Sequence, residues 1–473
     1  MKVKIIFGML VLTTLTLHAK VKLPQLISDH MVLQQQTEVC LWGEATPNSP
    51  VQVSYSWAND KKETKADENG FWKIFIKTPS ASFKSHTLVI SDGEPVTLHN
   101  VLIGEVWFCS GQSNMVMPLN GFENCPVRDA NNVIADAPNH PAIRVATIAT
   151  KSALTPQRYA NGTWKLPTVD NAPMFSAVAY HYALALQRTL QVPVGIISCA
   201  WGGSRVEGWL PKEILQTYEN EDLSVAGTDK MVLYMQPMIM YNGMLYPCKN
   251  YTVKGFIWYQ GESNVDSSST YAERLAEMVK HWRSLWNQDN LPFYYVEIAP
   301  YACGHEERGV KGALLREAQS KALSLIPNSG MVCINDLVEE HEVFQAHPRN
   351  KKEIGERLAH QALNKSYGYK GIKSDSPLYK GMRIDGNKIE ISFYNAAEGF
   401  SPWMGIDGFE IAGANKVFYP AEASINQKDK TIIVTSGKVK KPVAVRYCFY
   451  NFRKGNLKNT RNLPVVPFRT DDW

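Results

Sequence analysis

Hydrophobic residues recur along this chain with two different periods, and the change of period divides it. From residue 20 to about 100, apolar positions alternate with polar ones in short runs. Val51, Val53 and Tyr55 are separated by Gln52 and Ser54, and Asp67-Glu68-Asn69-Gly70 precedes Phe71-Trp72-Lys73-Ile74-Phe75-Ile76. A period of two, closed by Asn, Asp and Gly, predicts half-buried β-strands joined by turns. Residues 371–473 repeat the pattern, with strands expected at 388–393, 431–434 and 443–447. Both flanks are therefore expected to be all-β modules, one over 20–100 and one over 371–473.

Over residues 101–370 the alternation gives way to continuous apolar runs separated by amphipathic stretches. Buried strands are expected at 101–109, 194–199, 255–259, 293–298 and 331–334, and helices at 177–189, 271–286, 313–325 and 350–364. Strands buried on both faces and alternating with helices imply an α/β domain: a mostly parallel sheet between two helical layers.

The first residues form a separate unit. Met1-Lys2-Val3-Lys4 leads into an apolar run over 5–17 and then His18-Ala19 before Lys20. A charged start, a short apolar run and a small residue at its end fit a secretory signal peptide over 1–19, and the run is too short to cross a bilayer comfortably. No later stretch is apolar enough to span a membrane, so a secreted or periplasmic protein is expected.

Composition narrows the chemistry. The 473 residues include 44% hydrophobic and 20% charged residues and carry a formal charge of +5, with both signs interspersed and no basic run. Nucleic acid is therefore not an implied partner. The eight cysteines lack metal-type spacing, so no zinc site is suggested, and their pairing is not readable; no cofactor is expected. No phosphate loop or dinucleotide fingerprint occurs.

In an open parallel sheet, ligands bind beyond the carboxyl ends of the strands. There the chain is polar and rich in glycine: Ser110-Gly111-Gln112-Ser113-Asn114-Met115 after the first strand, Ala200-Trp201-Gly202-Gly203-Ser204-Arg205 after the second, and Gln260-Gly261-Glu262-Ser263-Asn264 after the third. The last strand leads through Asn335-Asp336 to Gln345-Ala346-His347-Pro348. Ser113 stands where a strand turns, which exposes a hydroxyl at the sheet rim. A serine nucleophile needs a neighbouring imidazole, and His347 is the candidate. Alone, each is equally well a turn residue; their joint placement at successive strand ends is what points to acyl transfer. Candidate oxyanion donors are the backbone N–H groups of Ser113 and of Gly202 or Gly203, with a side-chain amide from Gln260 or Asn264.

These motifs resemble a known family. Gly104-Glu105-Val106-Trp107 with Ser110 to Met115 is similar to the nucleophile segment of sialate O-acetylesterases, members of the SGNH-hydrolase superfamily. Trp201-Gly202-Gly203-Ser204 with Glu207 and Trp209, Trp258 to Asn264, and His347-Pro348-Arg349-Asn350-Lys351 with Gly355, Arg357, Leu358 and Ala359 resemble its later segments. The resemblance implies a three-layer α/β/α catalytic domain without metal. It implies removal of acetyl groups from sugar hydroxyls through an acetyl-serine intermediate, with 9-O-acetylated sialic acid as the expected substrate. On that basis Ser113 is the nucleophile, His347 the base, and Gly203 and Asn264 the oxyanion donors, with Gln260 competing with Asn264.

One position departs from the pattern. Many superfamily members carry an aspartate three residues before the histidine, where this chain has Phe344. Related acetylesterases use the glutamate after the Gln-Gly pair, which maps to Glu262. Asp336 is the second choice, and a Ser–His dyad supported by a backbone carbonyl is a third arrangement. Glu339, Glu340 and Glu342 are expected to form a solvated face. For substrate contacts, Trp201, Trp209 and Tyr259 are candidates to stack on a sugar, and Arg205 to pair with a sialic acid carboxylate; Arg316 is expected to face the site or form a helix ion pair. Two alternatives remain at this stage: an esterase of the same fold acting on acetylated xylan or another polysaccharide, and an inactive secreted carbohydrate-binding protein.

Overall fold

The computed structural model describes residues 20–473, so the expected signal peptide over 1–19 lies outside the described residues. Six parallel strands form the centre: β1 (Pro95–Gly111), β2 (Ile143–Thr147), β3 (Val194–Ala200), β4 (Gly255–Tyr259), β5 (Phe293–Val296) and β6 (Ser329–Val332). Four long helices accompany them: α1 (Ala177–Leu190), α2 (Ser268–Leu285), α3 (Lys311–Leu325) and α4 (Lys351–Lys365). The order across the sheet is β6-β5-β4-β1-β3-β2, with Trp164–Lys165 added antiparallel at the β2 edge. β1 thus lies between β3 and β4, where the strand order reverses, and the loops after these three strands meet at one rim.

The two faces of the sheet show why it is buried on both sides. Phe108, Phe256, Trp258, Phe293 and Tyr295 pack with Tyr271, Met278, Trp282 and Leu315 of α2 and α3. The residues one position on in each strand, Cys109, Ile257, Tyr259, Tyr294 and Val296, pack with Val178, Tyr182, Ile354 and Leu358 of α1 and α4. Successive strand residues point to opposite faces, so continuous apolar runs are needed to fill two helical layers.

The strand expected at 101–109 is longer at both ends. Its first part pairs antiparallel with Ser82–Ser91, and its last part, from Glu105, pairs parallel with β3. One strand therefore serves the N-terminal β region and the central sheet, and the expected boundary at 100/101 falls inside it. Ile143–Thr147 was not expected as a strand; it pairs with β3 and forms the outer parallel strand on that side. Five residues with an arginine at the second position give too short an apolar run to register as a periodic signal.

The C-terminal region forms two four-stranded antiparallel sheets, one built on Lys388–Tyr394 and Thr431–Thr435, the other on Phe409–Ala412 and Ala444–Tyr447. Ile389, Ile391, Ile411, Val434, Val445 and Tyr447 fill the space between them. This region meets the central domain at several points, among them Lys458 with Asp336, Arg469 with Glu317 and the loop carrying Tyr450 and Asn451. Asn451 Oδ1 accepts from Gly312 N at 2.8 Å, Asn451 Nδ2 donates to the Cys303 and Glu306 carbonyls, and the buried Arg316 donates to the Tyr450 carbonyl. Arg316 is thus a strut between α3 and the C-terminal region. All eight cysteines are buried and unpaired.

Candidate active site

Strand β1 ends at Gly111, whose φ of +141° and close approach to Tyr259 both exclude a side chain; a Cβ there would lie 2.1 Å from the Tyr259 carbonyl oxygen. The chain then turns into one helical turn over Ser113–Val116. Gln112 secures the turn: its N–H donates to Tyr259 O at 3.0 Å, and its Oε1 accepts from Gly261 N at 3.1 Å. Ser113 is left at the rim, partly exposed, between the loops that follow β3 and β4.

His347 lies on the loop between β6 and α4. Its Nε2 lies 2.7 Å from Ser113 Oγ. Phe122 packs edge-on against the imidazole with ring centroids 5.3 Å apart, and Cys125 Sγ donates to the His347 carbonyl. Burial, and secondarily the Lys351 charge, push the His347 pKa down to about 4. The ring is therefore a neutral proton acceptor at neutral pH, as a general base must be.

The carboxylates expected to orient His347 have other partners. Glu262 Oε1 accepts from Asn114 Nδ2 at 2.5 Å, and its Oε2 has no hydrogen-bond partner among the described residues. Burial pushes Glu262 up to about 7, against the opposing effects of the Asn114 hydrogen bond and the Lys351 charge. Asp336 forms paired hydrogen bonds with Arg357, both at 2.8 Å, and an ion pair with Lys458. Among the described residues no carboxylate hydrogen-bonds the imidazole. Glu262 reaches the histidine loop only through Asn114, whose Nδ2 also donates to Ala346 O at 2.8 Å. Asn114 in turn accepts from the buried Lys351, whose pKa burial lowers to about 7 despite Glu262.

The oxyanion candidates separate into two groups. Asn264 and Gln260 are turned inward. Asn264 Nδ2 donates to the buried Glu207 carboxylate, at 3.0 and 3.2 Å from its two oxygens, and lies 3.3 Å from Ser267 Oγ, and Gln260 Nε2 donates to Ser204 O and Asn264 Oδ1. In this arrangement both side-chain amides are engaged within the protein, and they tie the loops after β3 and β4 together. The backbone groups fare better. The N–H groups of Ser113, Gly202 and Gly203 have no acceptor within the described residues, and a Cβ on Gly202 would stand 3.6 Å from Ser113 Cβ.

The substrate-contact candidates are also redistributed. Tyr259 and Trp209 are fully buried, so neither offers a face to a sugar, whereas Trp201 is half-buried. Arg205 is committed within the protein: its Nη2 donates to Glu221 at 2.6 Å, its Nε donates to Met235 O at 2.8 Å, and Glu207 lies 3.7 Å away. A cation so matched by two buried carboxylates is not left to bind an external one. Glu342 is not part of a solvated face. It is buried, and its carboxylate accepts from the Glu339 and Arg349 N–H groups, closing the turn before His347. Sequence reasoning missed Asn114 and Lys351 as members of this network. Their adjacency to Ser113 and to the His347 segment was visible, but nothing in the sequence indicated that they meet.

Residues 103–364 match the family model described as carbohydrate esterase, sialic acid-specific acetylesterase. Among curated proteins, the chain is similar to the sialate O-acetylesterases of Mus musculus, at 26% identity over 417 residues covering 76% of each chain, and of Homo sapiens, at 26% identity over 401 residues covering 78% of this chain and 76% of the relative. Among solved structures it is similar to a carbohydrate acetylesterase from Xanthomonas citri, with a TM-score of 0.85 and 34% identity, covering 96% of this chain and all of that one.

Proposed function

Because the chain belongs to the family of sialic acid-specific carbohydrate acetylesterases, we propose that it removes O-acetyl groups, in particular the 9-O-acetyl group, from sialic acids through an acetyl-serine intermediate on Ser113. It is an ester hydrolase, and the observation that carries the mechanism is the 2.7 Å contact between His347 Nε2 and Ser113 Oγ. Neutral His347 takes the Ser113 proton as Oγ attacks the acetyl carbon. The oxyanion forms beside the N–H groups of Ser113, Gly202 and Gly203, which have no other acceptor among the described residues. His347 then passes the proton to the departing sugar oxygen, and a water repeats the sequence in reverse to release acetate.

Ser113 and His347 work in this reading as a dyad. Glu262 contributes through Asn114 and the Ala346 carbonyl by holding the histidine loop, not by a bond to the ring. The α/β domain is assigned to the SGNH-hydrolase superfamily, and export by a signal peptide over residues 1–19 belongs to the same reading.

One observation favours a second substrate class. Arg205, the residue expected to meet the sialic acid carboxylate, is spent on Glu221 and Glu207. An acetylated neutral polysaccharide such as xylan needs no such cation. Acetate release by the purified mature protein and its Ser113→Ala variant, on 9-O-acetylated sialic acid and acetylated xylan in parallel, separates the two. Serine-dependent release from the sialic acid supports the first reading; release from xylan alone keeps the mechanism and replaces the substrate.

A further inference from the structure

The segment after the β3 loop contains three consecutive apolar residues that the fold leaves in solvent: Val232, Leu233 and Tyr234, at 57%, 45% and 42% exposure. Single exposed apolar residues are ordinary, whereas neighbouring ones can form a binding surface. This one rests on the glycine loop that borders Ser113. The Tyr234 ring lies over Gly203, where a Cβ would come within 2.6 Å of Cδ2 and 2.7 Å of Cε2, and Gly202 is the residue that borders Ser113. Gly203, at φ +75°, is therefore required twice: by its left-handed backbone and by the ring resting on it.

The segment is also held in place. Gln236 is buried, and its side chain accepts from Gly227 N at 2.7 Å and donates to the Thr228 and Met231 carbonyls at 2.7 and 2.8 Å. Arg205 Nε donates to Met235 O, while its other end is fixed by Glu221. The buried ion-pair cluster of Arg205, Glu207, Glu221 and Arg274 thus anchors a lip whose outer face is apolar. A braced aromatic ring keeps its geometry without a ligand, so it offers binding surface at little ordering cost.

We propose that Tyr234 is a substrate-binding residue whose ring takes the apolar C–H face of the sugar that carries the acetyl group, placing the ester carbonyl between Ser113 and the Gly202–Gly203 N–H groups. This rests on the carbohydrate-esterase reading above and adds the element that selects a sugar ester over a small one. The ligand is a pyranose ring, recognised by its C–H face and not by charge. Gly203 and Arg205 are positioning residues that seat and anchor the ring.

The experiment compares Tyr234→Ala and Tyr234→Phe with the wild-type protein on the better of two acetylated carbohydrates, 9-O-acetylated sialic acid or acetylated xylan, and on 4-nitrophenyl acetate. Tyr234→Ala is expected to raise KM for the acetylated carbohydrate roughly ten-fold with a much smaller change in kcat, and to affect the aryl acetate several-fold less. Tyr234→Phe, which keeps the ring and loses only the hydroxyl, is expected to stay within about two-fold of wild type. An unchanged KM in Tyr234→Ala, or an equal loss on both kinds of ester, overturns the proposal and leaves the esterase assignment standing. Wild-type action on the aryl acetate with none on either carbohydrate removes the substrate reading and this proposal together.

Discussion

His347 Nε2 and Ser113 Oγ stand 2.7 Å apart although 234 residues separate them in the chain, and among the described residues no carboxylate hydrogen-bonds the imidazole. Loss of either group removes the same proton-transfer step. Ser113→Ala and His347→Ala are each expected to lower kcat by about 10⁴-fold or more, and the double variant by no more than the worse single one. Steady-state kinetics check this, with circular dichroism to verify the fold. Additive losses would mean that the two residues act in separate steps.

The buried imidazole sets the pH dependence. With its pKa near 4 instead of the usual 6.5, His347 remains neutral through mildly acidic pH, so the acid limb of kcat/KM is expected near pH 4. Lys351→Met removes a charge that opposes the imidazolium and should move this limb upward. For stability the sign is fixed by the same shift. The unfolded chain takes up the proton near 6.5 and the folded protein only near 4, so this group's contribution is complete above 6.5 and is lost as pH falls toward 4. A pH–rate profile with its acid limb near 6.5 would contradict the burial argument.

Glu262 and Asp336 are expected to fail in different ways when neutralised. Glu262→Gln keeps the shape and an acceptor for Asn114, so turnover should fall by about ten-fold or less, far from the roughly 10⁴-fold loss that follows removal of a carboxylate bonded to the histidine. Asp336→Asn strands the buried Arg357 and should cost about 3 kcal/mol of stability while leaving kcat near wild type. Although burial alone would raise it, the hydrogen bonds and charges of Arg357 and Lys458 hold the Asp336 carboxyl below its usual range. That stabilisation is present above the ordinary carboxylate pKa and is lost as pH falls through the lower folded value. Thermal melts and kinetics on the two variants separate the roles.

Arg205→Gln tests whether any charge recognition runs through that residue. Because its guanidinium is held by Glu221, Glu207 and the Met235 carbonyl, the variant should lose kcat/KM equally on 9-O-acetylated sialic acid and on its carboxyl methyl ester. A loss confined to the free acid would restore Arg205 as the carboxylate partner.

What the chain determined by itself is what depends on near neighbours. The continuous apolar runs of β3, β4 and β5 and the amphipathic periods of α1 to α4 were legible because a strand or helix that buries its faces must repeat with its own period. The polar strand-end loops carrying Ser113, Gly202, Gly203 and His347 were legible because an open parallel sheet puts its ligand site at those ends. Ile143–Thr147 was not legible, being too short to show a period, and neither was the continuity of β1 across both regions, which depends on what pairs with each half. Tertiary structure alone decided which polar groups satisfy one another. Asn264 and Arg205 looked available in sequence, yet folding brings Glu207 and Glu221 against them, since a buried amide or guanidinium must find its partners inside the protein. The same requirement, applied at long range, set Asn114 between Glu262 and Lys351 and left Ser113 with His347 as its only side-chain hydrogen-bond partner among the described residues.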